Sequence, residues 1–218
     1  MMAASPSRYL VELVAELQTH WPNNRTINIV CHGHSVPAGY FAPPFVDSFN
    51  AYPHLLHRLL KERFPFAILN VIVSAKGGES SAEGAVRFQR DVLDHHPDVL
   101  FIDYVLNDRR IGLFSAEKAH RAMIESALQQ GVKVVLMSHS PDLSVAGNDS
   151  EIRKLAALDA QLSALSSEYS IGFQDVPCLF DFTDQVLSEY MSWPHHPNAQ
   201  GHALIARALS RWFPLVGI

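Results

Sequence analysis

The sequence predicts one α/β domain of three layers, a mostly parallel five-stranded sheet between two sets of helices. Three observations predict it. Four short runs are nearly continuous in apolar and β-branched residues, the mark of strands buried on both faces. Between them lie longer stretches with apolar residues at helical spacing. Strand and helix alternate along the chain, which requires crossover connections and so a parallel sheet. With 218 residues, 48% of them hydrophobic, the chain can fill one sizeable core.

The elements follow in order. Residues 1–24 read as an N-terminal helical extension. Leu10, Val11, Leu13, Val14 and Leu17 are interrupted by Glu12 and Glu16, an amphipathic pattern unlike the apolar core of a signal peptide. The first strand is "INIVC" (27–31). Residues 48–63 then place Tyr52, Leu55, Leu56, Leu59 and Leu60 on one helix face. The second strand is "AILNVIV" (67–73), followed by a less regular helical pattern over 80–94. The third is "VLFIDYV" (99–105), followed by a helix over 115–130 that stops at Gly131. The fourth is "VKVVLMS" (132–138), followed by a helix over 149–168 with Asp149 or Ser150 as its cap. "IGFQDV" (171–176) is a weaker fifth strand. Residues 198–213 form the last helix, capped by Asn198 after Pro197. No linker, repeat or low-complexity segment divides residues 1–218, so one domain is expected.

Composition excludes several function classes. A formal net charge of −5 and the absence of a basic run argue against nucleic acid or an anionic membrane as partner. No apolar run approaches the length of a membrane span. The two cysteines, Cys31 and Cys178, make no disulfide framework, which favours a reducing compartment. The chain is expected to be soluble and cytoplasmic. Oligomeric state is left open.

Parallel sheets of this kind bind ligands at the carboxyl ends of their strands. The segments found there are "HGHSVPAG", "SAKGGESS", "LNDRR" and "SHSPD", and "SWPHHPNAQGH" precedes the last helix. Together they hold the parts of a hydrolase. A serine becomes a nucleophile when a base takes its proton, and histidine is the usual base near neutral pH. The oxyanion formed on an attacked carbonyl needs donors. Backbone N–H groups at Gly77 and Gly78, and the amide of Asn107, can supply them. Two other readings share these residues. His32 and His34, with His139, His195 and Glu79, could form a zinc-dependent hydrolase centre. A non-catalytic module binding an acyl group or a sugar would also use such a cleft.

The four blocks, in this order, resemble the SGNH/GDSL hydrolase superfamily. "GHSVPAG" looks like a divergent form of its Gly-Asp-Ser-Leu block, with His34 at the Asp position. "GGESSAEGAVRF" is similar to its glycine block and selects Gly78. "VLNDRR" is similar to its Gly-x-Asn-Asp block, with Val105 in place of Gly, and selects Asn107. "HHPNAQGH" is similar to its closing His block and selects His196 over His195. The resemblance spans residues 27–205. It implies a flavodoxin-like fold and a small-molecule ester as substrate, for example an O-acetylated carbohydrate. It implies Ser35 as nucleophile and His196 as base. It also implies an oxyanion hole from the N–H groups of Ser35 and Gly78 and the amide of Asn107. Neither cofactor nor metal is expected.

One departure stands out. The family commonly places an Asp three residues before the catalytic His, and here that residue is Trp193. In triad enzymes substitution of the orienting Asp costs about 10⁴ in turnover. The main-chain carbonyl of Trp193 is the expected substitute, with Asp184 the alternative and Asp181 and Glu189 also near. His34 and His139 are expected to shape the pocket. Tyr40, Phe41, Phe45 and Trp193 could add apolar or sugar-stacking surface, or lie in the core. Asp103 is expected to be paired inside its strand, and Asp108 and Arg109 to pair locally or line the rim. "GHSVP" fails the Gly-x-Ser-x-Gly elbow of the α/β-hydrolase fold, and no glycine-rich phosphate loop is present.

Overall fold

The computed structural model describes residues 2–180 and 187–215. Five parallel strands form one sheet: β1 (Thr26–Gly33), β2 (Ile68–Ala75), β3 (Val99–Asp103), β4 (Lys133–Met137) and β5 (Gly172–Gln174), in the order β2-β1-β3-β4-β5. The central strand β3 is buried at every position, whereas β2 exposes Ile68, Asn70 and Val73 as an edge strand does. Continuous burial explains why β3 reads as an unbroken apolar run, with no alternation.

Helices cover both faces. The helices are α1 (Val11–Leu17), α2 (Ser35–Ala38), α3 (Tyr52–Arg63), α4 (Ser81–Val86), α5 (Phe88–Asp91), α6 (Val105–Asp108), α7 (Gly112–Gln129), α8 (Asp149–Tyr169) and α9 (Ala199–Ser210). Helix α3 packs on α9, while α7 packs on α4 and α8. The N-terminal residues are part of this body. Leu10, Leu13, Val14 and Leu17 are buried in the common core, and Ala4 bridges to Gly172 on β5.

Three elements differ from the sequence reading. The pattern over 80–94 is two short helices and a 3-10 turn, because α4 opens with a Ser80–Glu83 capping box and ends at Arg87, whose side chain turns inward. The cap of α8 is Asn148, whose side chain accepts from Glu151 N, one residue before the predicted choices. A small antiparallel pair, β6 (Met191–Trp193) and β7 (His196–Pro197), precedes α9. Asn198 caps α9 as expected, accepting from Gln200 N and Gly201 N.

The strand order reverses direction between β1 and β3, so the crevice above their carboxyl ends is the natural ligand site. The register brings those ends level: Gly33 pairs with both Ala75 and Asp103. A Cβ at Gly33 would lie 2.4 Å from Asp103 O, so only glycine lets β1 and β3 approach this closely there.

Candidate active site

Ser35 is the first residue of α2, immediately beyond β1. The His34 side chain caps that turn, accepting from Val36 N at 3.3 Å. His34 Nδ1 is therefore an acceptor and Nε2 carries the proton. That Nε2 lies 3.2 Å from Asp103 Oδ1, without the alignment of a hydrogen bond, and both side chains are fully buried. Asp103 also accepts from the Tyr52 hydroxyl at 3.3 Å.

His196 reaches Ser35 from the far end of the chain. Its Nε2 lies 3.0 Å from Ser35 Oγ. Its Nδ1 lies 3.0 Å from the main-chain carbonyl of Phe41. A carbonyl can only accept, so Nδ1 carries the proton and Nε2 presents its lone pair to the serine hydroxyl. Burial is the main influence on the imidazole, followed by the neighbouring His195, and together they lower its pKa to about 4. The Phe41 carbonyl and the Asp142 charge oppose that shift. The ring is thus a neutral base across the physiological range. Serine and base here have the distance and protonation that nucleophilic catalysis needs.

The residue orienting His196 differs from the expectation. It is Phe41, not Trp193. Trp193 is partly exposed and pairs with His196 across the β6–β7 ladder, so its backbone is committed to that pairing. Asp184 and Asp181 lie outside the described residues. Glu189 accepts at its main-chain carbonyl from the Asn198 side chain. A tight loop after α2 delivers the Phe41 carbonyl. Gly39 is left-handed (φ 86°), Asp47 N bonds to Gly39 O, and Phe41 N bonds to Phe45 O. The buried Phe41 ring packs on His202, whereas Phe45 stays exposed and Tyr40 packs beside His196.

The loop after β2 holds Gly78 in a left-handed conformation (φ 76°). Its N–H and that of Ser35 donate to no group among the described residues. Asn107, on α6, donates from Nδ2 to the carbonyl of Glu79 at 3.0 Å, which leaves its second amide hydrogen available. Glu79 itself is buried and clamped. Arg87 grips both its carboxylate oxygens, and the Tyr104 hydroxyl donates to it at 2.9 Å. Tyr104 meets His32 Nε2 at 3.1 Å, and His32 Nδ1 meets Ser74 O at 2.9 Å. Burial lowers the His32 pKa to about 4, so this ring is neutral. Glu79, Arg87 and Tyr104 were not singled out as a unit by sequence, because nothing in their spacing shows that they converge.

The metal reading is corrected by these contacts. Both His32 nitrogens are engaged, His34 caps α2, and His139 pairs with Asp159 at 2.6 Å. Among the described residues no three His, Cys, Asp or Glu side chains converge as metal ligands. Asp108 and Arg109 do not pair with each other. Asp108 accepts from Ser81 N at 2.8 Å, and Arg109 binds Asp142 at 2.9 Å. His139 lines a cavity at the carboxyl ends of β4 and β5.

A parallel α/β sheet with a serine, a neutral histidine and free N–H donors at its switch point defines a class, the carboxylic ester hydrolases of flavodoxin-like fold. The family follows from comparison. A family model described as GDSL-like Lipase/Acylhydrolase matches residues 31–204, and the chain belongs to that family. No significant match is found among curated proteins. Solved structures share the fold at low identity. An acetylxylan esterase from Geobacillus stearothermophilus, solved as a catalytic variant, is 19% identical with a TM-score of 0.75, over 91% of this chain and 97% of that one. A two-domain esterase active on acetylated mannans is 17% identical with a TM-score of 0.76, over 97% of this chain and 53% of that one. A protein of the G-D-S-L lipolytic family from Desulfitobacterium hafniense is 20% identical with a TM-score of 0.71, over 85% of this chain and 98% of that one. No helix among the described residues is long and apolar enough to cross a membrane.

Proposed function

We propose that this protein is a serine esterase that hydrolyses a small acyl ester through a Ser35–His196 dyad and a covalent acyl-enzyme. Ser35 Oγ attacks the acyl carbonyl while His196 Nε2 takes its proton. The N–H groups of Ser35 and Gly78 and the Asn107 amide hold the oxyanion. His196 then gives its proton to the leaving alcohol. Water, deprotonated by the same nitrogen, releases the acid and restores Ser35. The observation that carries the reading is the 3.0 Å approach of Ser35 Oγ to a nitrogen whose lone pair is fixed by the Phe41 carbonyl. The likeness to esterases of acetylated xylan and mannan makes an O-acetylated carbohydrate one ester of this kind.

The test is direct. Ser35→Ala should abolish turnover of p-nitrophenyl acetate, and a serine-directed phosphonate should label the wild type at Ser35 alone. Undiminished turnover in the variant would remove the proposal.

A further inference from the structure

A second cavity lies beside the Ser35 cleft, at the carboxyl ends of β4 and β5. Its volume is about 420 Å³, within the range of small-molecule pockets. Leu143, Val145, Ile152, Leu155 and Leu187 give it an apolar wall. Two contacts tie it to the reacting groups. Asp142, on its rim, binds Arg109, two residues from Asn107. Leu143 N donates to Pro194 O at 2.6 Å, two residues from His196. The rim is therefore fastened to the Asn107 segment and to the His196 segment at once. In the sheet, β4 is the second neighbour of β1, about 10 Å away at two strand spacings. A substituent on an ester held at Ser35 can span that distance.

The polar groups of the cavity restrict what enters. Asp142, Asp159 and Asp175 line it, and among the described residues no lysine or arginine does. Asp142 is neutralised by Arg109 from outside. Asp159 accepts from His139 Nδ1, and His139 Nε2 makes no hydrogen bond among the described residues. An anionic chain would meet three carboxylates, with no lysine or arginine among the described lining residues to compensate it. An uncharged hydrocarbon chain meets the leucine, isoleucine and valine side chains.

We infer that this cavity seats an uncharged apolar chain of the ester while the carbonyl lies at Ser35, which makes the enzyme selective for medium-chain neutral esters over acetylated sugars. The inference rests on the esterase reading above and, within it, favours a longer neutral chain over the O-acetylated carbohydrate. The chain can belong to the acyl part or to the alcohol part, and the experiment separates the two.

Ala156 lines the cavity from the exposed side of α8, so a larger residue there fills the space with little effect on folding. Wild type and Ala156→Trp are compared on two series: p-nitrophenyl acetate to octanoate, and ethyl to octyl acetate. A peracetylated xylobiose and p-nitrophenyl hydrogen succinate complete the set. In the wild type, kcat/KM should rise about fourfold per methylene in one series, for as long as the chain is being buried. That series names the part of the ester that binds. Ala156→Trp should flatten the rise by at least tenfold at the eight-carbon chain and leave the acetate rate within twofold. The succinate should be slower than butyrate. Turnover with parallel chain-length profiles in both proteins, a flat profile in both series, or preference for the acetylated sugar would overturn the inference and leave the esterase reading intact. No turnover of any ester, with Ser35 unlabelled by phosphonate, would remove the esterase reading and this inference with it.

Discussion

Replacing Arg87 by Met is expected to impair both stability and turnover, although Arg87 touches no reacting atom. Its guanidinium binds both oxygens of Glu79, Ser74 Oγ at 2.8 Å and Asp91 at 3.1 Å, in a site where Arg87 and Glu79 are 8% and 9% exposed. Removing one partner of a buried pair costs about 3–5 kcal/mol, because the other charge stays buried without compensation. For a chain of this size each kcal/mol lowers Tm by about 2–4 °C, so a fall of about 6–20 °C is expected. The catalytic effect follows from what Glu79 holds. Its carbonyl is the acceptor of Asn107 Nδ2, and it follows Gly78 directly. Loosening that loop displaces two of the three proposed oxyanion donors. Deleting one donor outright costs about 10²–10³ in kcat, and misplacing them should cost about 10- to 100-fold. The assay is thermal unfolding followed by kcat and KM on p-nitrophenyl acetate at 20 °C, where near-UV circular dichroism shows the variant folded. Glu79→Gln combined with Arg87→Met should recover part of the lost stability, since it removes the stranded charge. A lowered Tm with unchanged kcat would refute the positioning argument. An unchanged Tm would refute the clamp itself.

The pH profile of kcat/KM should show an acid limb centred near pH 4. The base must be neutral, burial and His195 hold the His196 pKa at about 4, and activity is lost only as pH falls through that value. A limb between pH 6 and 7 would contradict the buried, carbonyl-bonded histidine. Linkage has the same sign for stability. His32 at about 4 and His202 at about 3 are depressed in the fold, chiefly by burial, below the ordinary value near 6.5. Their contribution is present above pH 6.5 and is lost as pH falls toward 3, so urea midpoints should drop over that window. Asn107→Ala should lower kcat about 10²–10³-fold with little change in KM, as loss of a transition-state donor does. Unchanged kcat would leave Asn107 only as the clamp on Glu79.

The strands were legible because burial on both faces leaves an unbroken apolar run, and the residues proposed to carry the chemistry follow those runs. Ser35, Asn107 and His196 could be found this way because their side chains are chemically distinctive and their blocks are short. The Phe41 carbonyl could not. Every residue has a carbonyl, and this one reaches His196 across 155 positions through a loop whose course depends on Gly39 and on the Phe41–Phe45 bond. Trp193 was the nearest substitute in sequence, but β6–β7 pairing had already taken its backbone. The break in the 80–94 helix was hidden for a related reason. Arg87 reads as a solvated helical residue until Glu79, Ser74 and Tyr104 are known to surround it.

Among the described residues no carboxylate bonds to His196, which has a consequence for the leaving group. Among the described residues the nearby acids are already occupied: Asp103 faces His34 and Tyr52, Asp108 holds Ser81 N, and Asp142 binds Arg109. A carbonyl fixes the tautomer of His196 but carries no full charge to stabilise the imidazolium that the proposed attack by Ser35 would form. Burial and the neighbouring His195 lower the His196 pKa to about 4, which makes the ring a weak base and its cation a ready proton donor. A strong acid transfers its proton readily to a departing alkoxide, while a weak base raises the barrier to the first proton transfer. Such a dyad works when the carbonyl is activated and the leaving oxygen is modestly basic, as in esters. It works poorly for amides, whose carbonyl is less electrophilic and whose leaving nitrogen must be fully protonated. Ester hydrolysis with negligible amidase activity is therefore the chemistry that this histidine, oriented by Phe41, is suited to perform.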